Sequence, residues 1–487
     1  MYLNYRIIIK ILGAVILILG IAMIPSTVVS GMHFETDAFR AFALCSFFLI
    51  AGGGFITLKM RSYLSVLKFR EGYMIVTLCW LCASLFGSAP YLLSGVTSSF
   101  ADAFFESVSG FTTTGCSVFN VEMIPDSLIL WKAISHLLGG MGILVFVISI
   151  LPALGIGGQK IVKAEAPGPT VDKVAARISD SAKILYITYI SFGIAEFILL
   201  SVSSMSTFDA VIHTLGSIST SGLSNHYNGI AYFHSFYVEC VISTFTILAS
   251  INFVLYANIA RGKLKAFISN LELRVFLTII LAAAVLVSSD LLLTGTYTTI
   301  TDAFRYGTFQ VIAFATTTGQ PVANFTLWPD FSKMILFILM FIGGCAASTC
   351  GAIKVIRVII MFKLIIRGFA KLVHPRLVVA VKLRDHAVPA QTVSNITSFI
   401  FTYLAIFVFS NFILSLQNLD FITTMSTTAS MLSNTGCHLG VGYGTAYDFG
   451  MYSAPLKLYL SFLMIIGRLE LFTIIVLLNP KFWNYKS

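Results

Sequence analysis

Apolar runs of bilayer-spanning length recur along the chain at about 6–29, 40–58, 73–95, 129–152, 184–204, 235–258, 273–295, 333–365, 393–416 and 456–478. A helix needs roughly 20 apolar residues to cross the hydrocarbon core, so the pattern predicts ten transmembrane helices. Four shorter apolar stretches lie between them, Phe100 to Gly110, Phe208 to Gly216, Thr301 to Ile312 and Asp420 to Ser430. At roughly 10 to 12 residues these are too short to span. Each opens with an aspartate (Asp102, Asp209, Asp302, Asp420), as suits a helix N-terminus. The predicted unit is helix, re-entrant half-helix, extended segment, helix, made four times after two additional N-terminal helices. The first run follows Arg6 and Lys10 much as a signal peptide would. It continues to Val29, however, and a second helix follows a short acidic loop, so it reads as a span.

Each half-helix runs into a hydroxyl-rich segment closed by glycine: Gly110 to Gly115 (GFTTTG), Ser217 to Gly222 (SISTSG), Phe314 to Gly319 (FATTTG) and Ser430 to Gly436 (SMLSNTG). The glycine-to-glycine spacings are 107, 97 and 117, the signature of a tandemly duplicated unit. Irregular backbone at membrane depth is tolerable where it lines a wet cavity. Stripping water from a cation requires replacement oxygens, and the carbonyls of Thr113, Thr114, Thr220, Ser221, Thr317, Thr318, Asn434 and Thr435 can supply them around one axis. A single copy would read more simply as a polar turn; four in register do not. The segment Gly440 to Gly444 (GVGYG) looks like the filter signature of tetrameric potassium channels, but it occurs once and is read as a loop.

Composition agrees with a membrane solvent: 57% of residues are hydrophobic and 11% charged, beyond what one soluble core could hide. The net charge of +10 is unevenly placed. Loops 59–70, 159–183, 261–274 and 354–384 are rich in Lys and Arg, whereas 96–131, 204–260 and 417–456 have none and 290–332 has only Arg305. The basic loops are therefore cytoplasmic, the four glycine segments external and both termini cytoplasmic. The charge is an orientation signal with affinity for anionic lipid headgroups, not a nucleic-acid surface.

With four such segments in register, the chain resembles the superfamily of potassium uptake subunits that spans bacterial TrkH and KtrB and the plant and fungal HKT and Trk transporters. The resemblance implies an all-α membrane protein with four tandem M1-P-M2 repeats around a central pore. Two N-terminal helices would occupy 1–70 and the repeats 71–158, 159–265, 266–385 and 386–487. It implies a potassium filter at Thr113, Thr114, Gly115, Thr220, Ser221, Gly222, Thr317, Thr318, Gly319, Asn434, Thr435 and Gly436, glycine at all four positions going with potassium selectivity. It further implies a homodimer in the bacterial inner membrane, one pore per subunit, and a cytosolic nucleotide-binding Rossmann-type ring (TrkA-like) docked on basic loops such as 354–384.

Two further features bear on control of flow. Arg468 lies near the middle of the last run, where a charge costs at least ~2.5 kcal/mol and must face a pore or a partner. The resemblance makes it the arginine just below the filter, and the alternative is a brace on backbone carbonyls. The eighth run is interrupted by Gly343 to Lys354 (GGCAASTCGAIK), which begins 24 residues after Gly319. Small residues permit close helix packing, but the resemblance places an intramembrane gate here, with Gly343, Gly344, Ser348, Gly351 and Lys354 as its candidate residues.

An enzyme is excluded by the lack of any nucleophile, P-loop or metal constellation. Cys79 and Cys82 form a lone C-x-x-C in an apolar helix, and the eight cysteines are expected as free thiols. No organic cofactor is expected, only K+ as cargo. The competing function, H+- or Na+-coupled symport, would need acidic groups near the midplane, for which Glu196 and Glu470 are the candidates.

Overall fold

A computed structural model describes residues 4–60, 69–142, 178–374, 380–383, 386–440, 449–469 and 471–483. The loop segment read as GVGYG therefore lies largely outside the described residues, as does Glu470. Apart from an antiparallel ladder of two residues per strand, Lys382–Leu383 against His386–Ala387, the regular structure is helical.

The chain begins with α1 (Tyr5–Ala22), α2 (Ile24–Met32) and α3 (Thr36–Lys59). Helix α1 lies along α3 because both present glycines at the contact. A Cβ at Gly53 would come within 2.4 Å of the Leu17 amide nitrogen, and one at Gly13 within 2.5 Å of the Ile56 side chain. Where lipid competes equally for apolar side chains, such close approach is what gains packing energy.

Four times thereafter the chain makes a long helix, a short helix and a second longer element. The first set is α4 (Phe69–Leu93), α5 (Phe100–Phe111) and α6 (Asp126–Gly140). The second is α7 (Ile178–Ser201), α8 (Thr207–Ile218) and the pair α9 (Phe236–Ser250) and α10 (Phe253–Ala260). The third is α11 (Leu271–Leu293), α12 (Ile300–Ala315) and the pair α13 (Asp330–Phe341) and α14 (Val355–Val373). The fourth is α15 (Ala390–Ser415), α16 (Phe421–Ser433) and the pair α17 (Ala454–Arg468) and α18 (Leu471–Leu478).

The short helices start from side-chain caps, though not the expected ones. Ser99, Ser206 and Thr299 cap α5, α8 and α12 by accepting from the amides of Asp102, Asp209 and Asp302, which stand at the third helical position. Only in α16 is the aspartate, Asp420, the cap itself. Three acids in the first turn and one at the cap all complement the positive end of the helix dipole.

Each short helix is wedged among its own two longer neighbours and one from the preceding set. Thus α8 also packs on α6, α12 on α9, α16 on α13, and α5 on α17, which closes the cycle. Among the described residues six helical stretches, α1 with α2 counted as one, are long and apolar enough to cross a membrane, and two bent pairs, α9 with α10 and α17 with α18, pass the same test jointly. Three of the expected continuous spans are broken, 235–258 at Ile251 and Asn252, 333–365 over 342–354 and 456–478 near Leu469. The α9–α10 bend is 92°.

The glycine contact yields a test. Gly53→Leu should force α1 from α3 and cost roughly 1–3 kcal/mol as overpacking, whereas Gly52→Leu, with nothing within 4 Å of its Cβ position, should be neutral. Thermal unfolding of the purified protein in detergent reads the difference, and equal midpoints would refute close packing.

Candidate functional site

Each short helix points its C-terminal, partially negative end toward its glycine segment, a favourable field for a cation. The segments then share one backbone conformation. Thr113, Thr220, Thr317 and Asn434 are left-handed, with φ of 55°, 54°, 57° and 57°, and two residues on Gly115, Gly222, Gly319 and Gly436 are left-handed again at 80°, 67°, 64° and 86°. In all four the intervening amide turns back to a carbonyl near the helix end: Thr114 to Ser109 (3.0 Å), Ser221 to Gly216 (2.9 Å), Thr318 to Ala313 (2.8 Å) and Thr435 to Ser430 (3.0 Å). Hydroxyl pairs lock the same turns, Thr112 with Thr114, Ser219 with Ser221, Thr316 with Thr318 and Ser433 with Thr435, at 2.7–3.0 Å. With the amides so used, the carbonyls of Thr113, Thr114, Thr220, Ser221, Thr317, Thr318, Asn434 and Thr435 receive no hydrogen bond from any described residue. Buried carbonyls require a partner, and a set of them without a protein donor suits a dehydrated cation.

The glycines show that the four segments form one ring. A Cβ on Gly115 would lie 1.8 Å from the Ser221 carbonyl oxygen, on Gly222 2.0 Å from that of Thr318, on Gly319 2.0 Å from that of Thr435 and on Gly436 1.8 Å from that of Thr114. Each glycine thus abuts the carbonyl of the residue before the next glycine, and the fourth contact returns to the first segment. The requirement for glycine is steric twice over, in the positive φ and in the neighbour's oxygen.

The candidate gate residues lie directly beneath. Residues 342–354 leave the helix as a folded loop rather than a packed helical stretch, with Ile342 and Ile353 in a parallel bridge. The Gly343 amide donates to Ile353 O (3.0 Å), the Gly344 carbonyl accepts from the Val355 amide (3.2 Å), and Ser348 Oγ donates to Cys345 O (2.6 Å). Gly351 N donates to Thr317 Oγ1 (2.9 Å) and Ala352 N to Ser433 O (3.0 Å), which ties the loop to the base of two glycine segments. Lys354 Nζ bonds the Cys350 carbonyl within the loop. The loop also closes the α9–α10 break: amides of Cys345 and Thr349 donate to Ser250 O and Ala249 O, and Phe253 N donates to Ala347 O. Arg468 spans the same layer, NH1 donating to Thr349 O (2.6 Å) and NH2 to Gly139 O and Gly140 O (2.6 and 2.7 Å). Glu196 is fully buried on α7, and neither of its oxygens has a hydrogen-bond partner among the described residues.

Behind the ring stands a layer of buried polar side chains whose register the sequence reading overlooked. The residue nine positions before each glycine is Glu106, His213, Gln310 or Thr427, all fully buried. Glu106 accepts from Lys132 Nζ (2.5 Å), Ser117 Oγ (2.7 Å) and the Val118 amide (3.2 Å), and Lys132 also donates to Cys116 O (2.8 Å). His213 contacts Ser224 Oγ (3.4 Å) and Gln320 Nε2 (3.1 Å). Gln310 accepts from the Val322 amide (3.4 Å) and reaches Gln320 O (3.5 Å). Thr427 pairs with Tyr452 OH (2.8 Å), while neighbouring Ser426 accepts from the Leu439 amide (2.9 Å). A constant offset from a repeated motif was the available signal; four different residue types hid it.

All eight cysteines are free. Among the described residues one group could approach a metal, His33, Glu35 and Asp126, but Glu35 is occupied in accepting from the amides of Asp126 and Ser127 at the start of α6.

Residues 38–485 match the family described as TrkH, cation transport protein. The chain is 33% identical over 99% of its length to the Trk system potassium uptake protein TrkH of Halomonas elongata, all of which is covered, and to TrkG of Escherichia coli K12, 99% of which is covered. The crystal structure of the potassium transporter TrkH from Vibrio parahaemolyticus superposes with a TM-score of 0.88 at 32% identity, over 99% of this chain and all of that one. With the match running over nearly the whole chain and its closed ring of glycine segments, the protein belongs to the TrkH family of cation transport proteins and is a membrane transporter, not an enzyme.

Proposed function

We propose that the protein takes up K+ across the bacterial cytoplasmic membrane through a channel-like pore whose selectivity filter is the ring of four glycine segments. The observation that carries this reading is the cyclic contact of each filter glycine with its neighbour's carbonyl, which leaves eight carbonyls free to replace hydration water. The four helix sets correspond to M1-P-M2 repeats over 71–158, 159–265, 266–385 and 386–487, with 1–70 as the additional helix pair. Lys and Arg content supports cytoplasmic termini and an external filter mouth. Ten crossings remain our reading, with the broken elements counted as single spans.

In this reading the loop 343–354 and Arg468 form the gate. Arg468 holds the loop to the end of α6 while keeping a fixed positive charge beneath the filter, which opposes K+ entry. A cytosolic TrkA-like ring that binds nucleotide would act on basic loop 354–384 and pull the loop aside, and the working unit is a homodimer with one pore per subunit. The relatives, Trk system potassium uptake proteins, support K+ as cargo.

One observation favours a second reading, H+- or Na+-coupled symport: Glu196 is a buried carboxyl with no described hydrogen-bond partner on a membrane-spanning helix. Reversal potentials in proteoliposomes decide. A potential that tracks only the K+ gradient supports the conduit, and one that moves with pH or Na+ at fixed K+ supports coupling.

Purified protein should pass K+ and Rb+ in preference to Na+ and Li+, and Gly115→Ser should raise relative Na+ permeability because the new Cβ meets the Ser221 carbonyl. Bi-ionic potentials measure this, and a wild type without K+ preference would refute the filter. Arg468→Ala should raise cation flux severalfold with preference retained; unchanged flux in a folded variant would leave the arginine as a brace alone. Deleting 343–350 should give flux independent of the regulatory ring and its nucleotide. Size-exclusion behaviour checks that the deletion variant folds, since the α9–α10 break loses its partners, and a folded variant still silent without the ring would eliminate the gate.

A further inference from the structure

The filter ring is chemically near-symmetric, yet what stands behind it is not. We propose that the residue nine positions before each of the first three filter glycines, Glu106, His213 and Gln310, is a positioning residue for that filter segment, and that the ion pair Glu106–Lys132 makes the first segment the fixed wall against which selectivity is set. The inference rests on the filter reading above and assigns a role to residues outside the ring.

The geometry begins with the strand just past the glycine. Two residues beyond Gly115 and Gly222 stand Ser117 and Ser224, both in contact with the residue at the offset, Glu106 or His213. Three residues beyond Gly115 and Gly319, the amides of Val118 and Val322 donate to Glu106 and Gln310. The short helix therefore holds the strand that leaves its own filter. One side chain closes the loop made by helix, filter and exit strand, and the glycine can be displaced only if that bond stretches.

The carbonyl next to each of the first three glycines is also taken. Cys116 O accepts from Lys132 and Ser109, Leu223 O from Gln320, and Gln320 O from Gln310. These oxygens are turned onto protein donors, so ion coordination ends at the glycine level. Gln320 in addition contacts His213, which joins the second and third exit strands.

The anchors differ in strength. A hydrogen bond in which one partner is ionised is roughly twice as strong as a neutral one. Among the described residues only the first segment is held by an ion pair, with Glu106 entirely buried and Lys132 2% exposed. A buried pair of this kind is a weak source of stability relative to a neutral replacement, but it fixes geometry where its remaining valences are satisfied. Here they are: Glu106 has three donors, and Lys132 has a second acceptor that is itself a filter-exit carbonyl.

The experiment compares K+/Na+ permeability ratios from bi-ionic potentials in proteoliposomes for wild type, Glu106→Gln/Lys132→Met and Gln310→Leu, with melting temperature measured in parallel. The double variant removes both charges together, so no ion is left unpaired in the interior. Its ratio should fall at least about tenfold, the lower end of what one charge-assisted hydrogen bond represents, while Gln310→Leu should give a smaller fall. A residue that served stability alone would shift melting temperature or yield and leave the ratio intact. A double variant that folds with the wild-type ratio overturns the inference. If it fails to assemble, Gln310→Leu decides, and an unaltered ratio there overturns it. A wild type with no K+ preference would instead defeat the filter reading, so the two failures are distinct.

Discussion

Eight backbone carbonyls that no described donor satisfies are the constraint around which this protein is arranged. Each buried, unpaired polar group costs about 1–3 kcal/mol, so such a ring persists only if its surroundings over-determine it. The surroundings do so at three levels. Amides fold back onto the helix ends, hydroxyls pair across the turns, and each glycine is pressed against the next segment's oxygen. The first and the last of these cannot be relaxed by side-chain motion, because both partners are backbone.

The layer below follows from the same accounting of polar groups. A helix broken at membrane depth exposes carbonyls and amides that lipid cannot satisfy. The α9–α10 break and the loop after α13 solve the problem mutually, since Ala249, Ser250 and Phe253 find their partners on Cys345, Thr349 and Ala347. Arg468 supplies donors to three further carbonyls from two other elements. Displacement of the loop therefore disturbs the second set, the first set and the last together. That connectivity is a physical basis for coupling between parts of the chain far apart in sequence.

Similar ring chemistry with dissimilar support is the other lesson. The four segments repeat a backbone conformation to within a few degrees at the first left-handed residue, 54° to 57°, which requires only small hydroxyl or amide residues and glycine. Behind them Glu106, His213, Gln310 and Thr427 meet different environments: Lys132 of α6 pairs with Glu106, Gln320 just past the third filter glycine reaches both His213 and Gln310, and Tyr452 just before α17 pairs with Thr427. Backbone function constrains sequence tightly at the ring and loosely one layer out.

How much was legible follows from this. Membrane character, the helix-and-half-helix order and the four glycine segments were readable because bilayer thickness sets run length and a left-handed backbone beside a neighbouring carbonyl admits only glycine. Arg468 was conspicuous because an intramembrane charge is costly, and Gly343 to Lys354 because small residues interrupt an apolar run. The helix breaks at Ile251 and Leu469 were passed over although Asn252 and Arg468 stand beside them, since single polar residues also occur within unbroken spans; at Ile251 the partners of the freed backbone groups come from the facing loop and exist only in three dimensions. Lys132 was passed over because it sits at the edge of an apolar run, where a snorkelling lysine is ordinary; its pairing with Glu106, 26 positions away, exists only in three dimensions. The amino-acid sequence by itself determined which segments could line a path for a cation, because that depends on local backbone chemistry. The tertiary structure alone decided that the four close on one another in cyclic order and what holds each in place, because those contacts join residues up to 322 positions apart, as Gly436 does with Thr114.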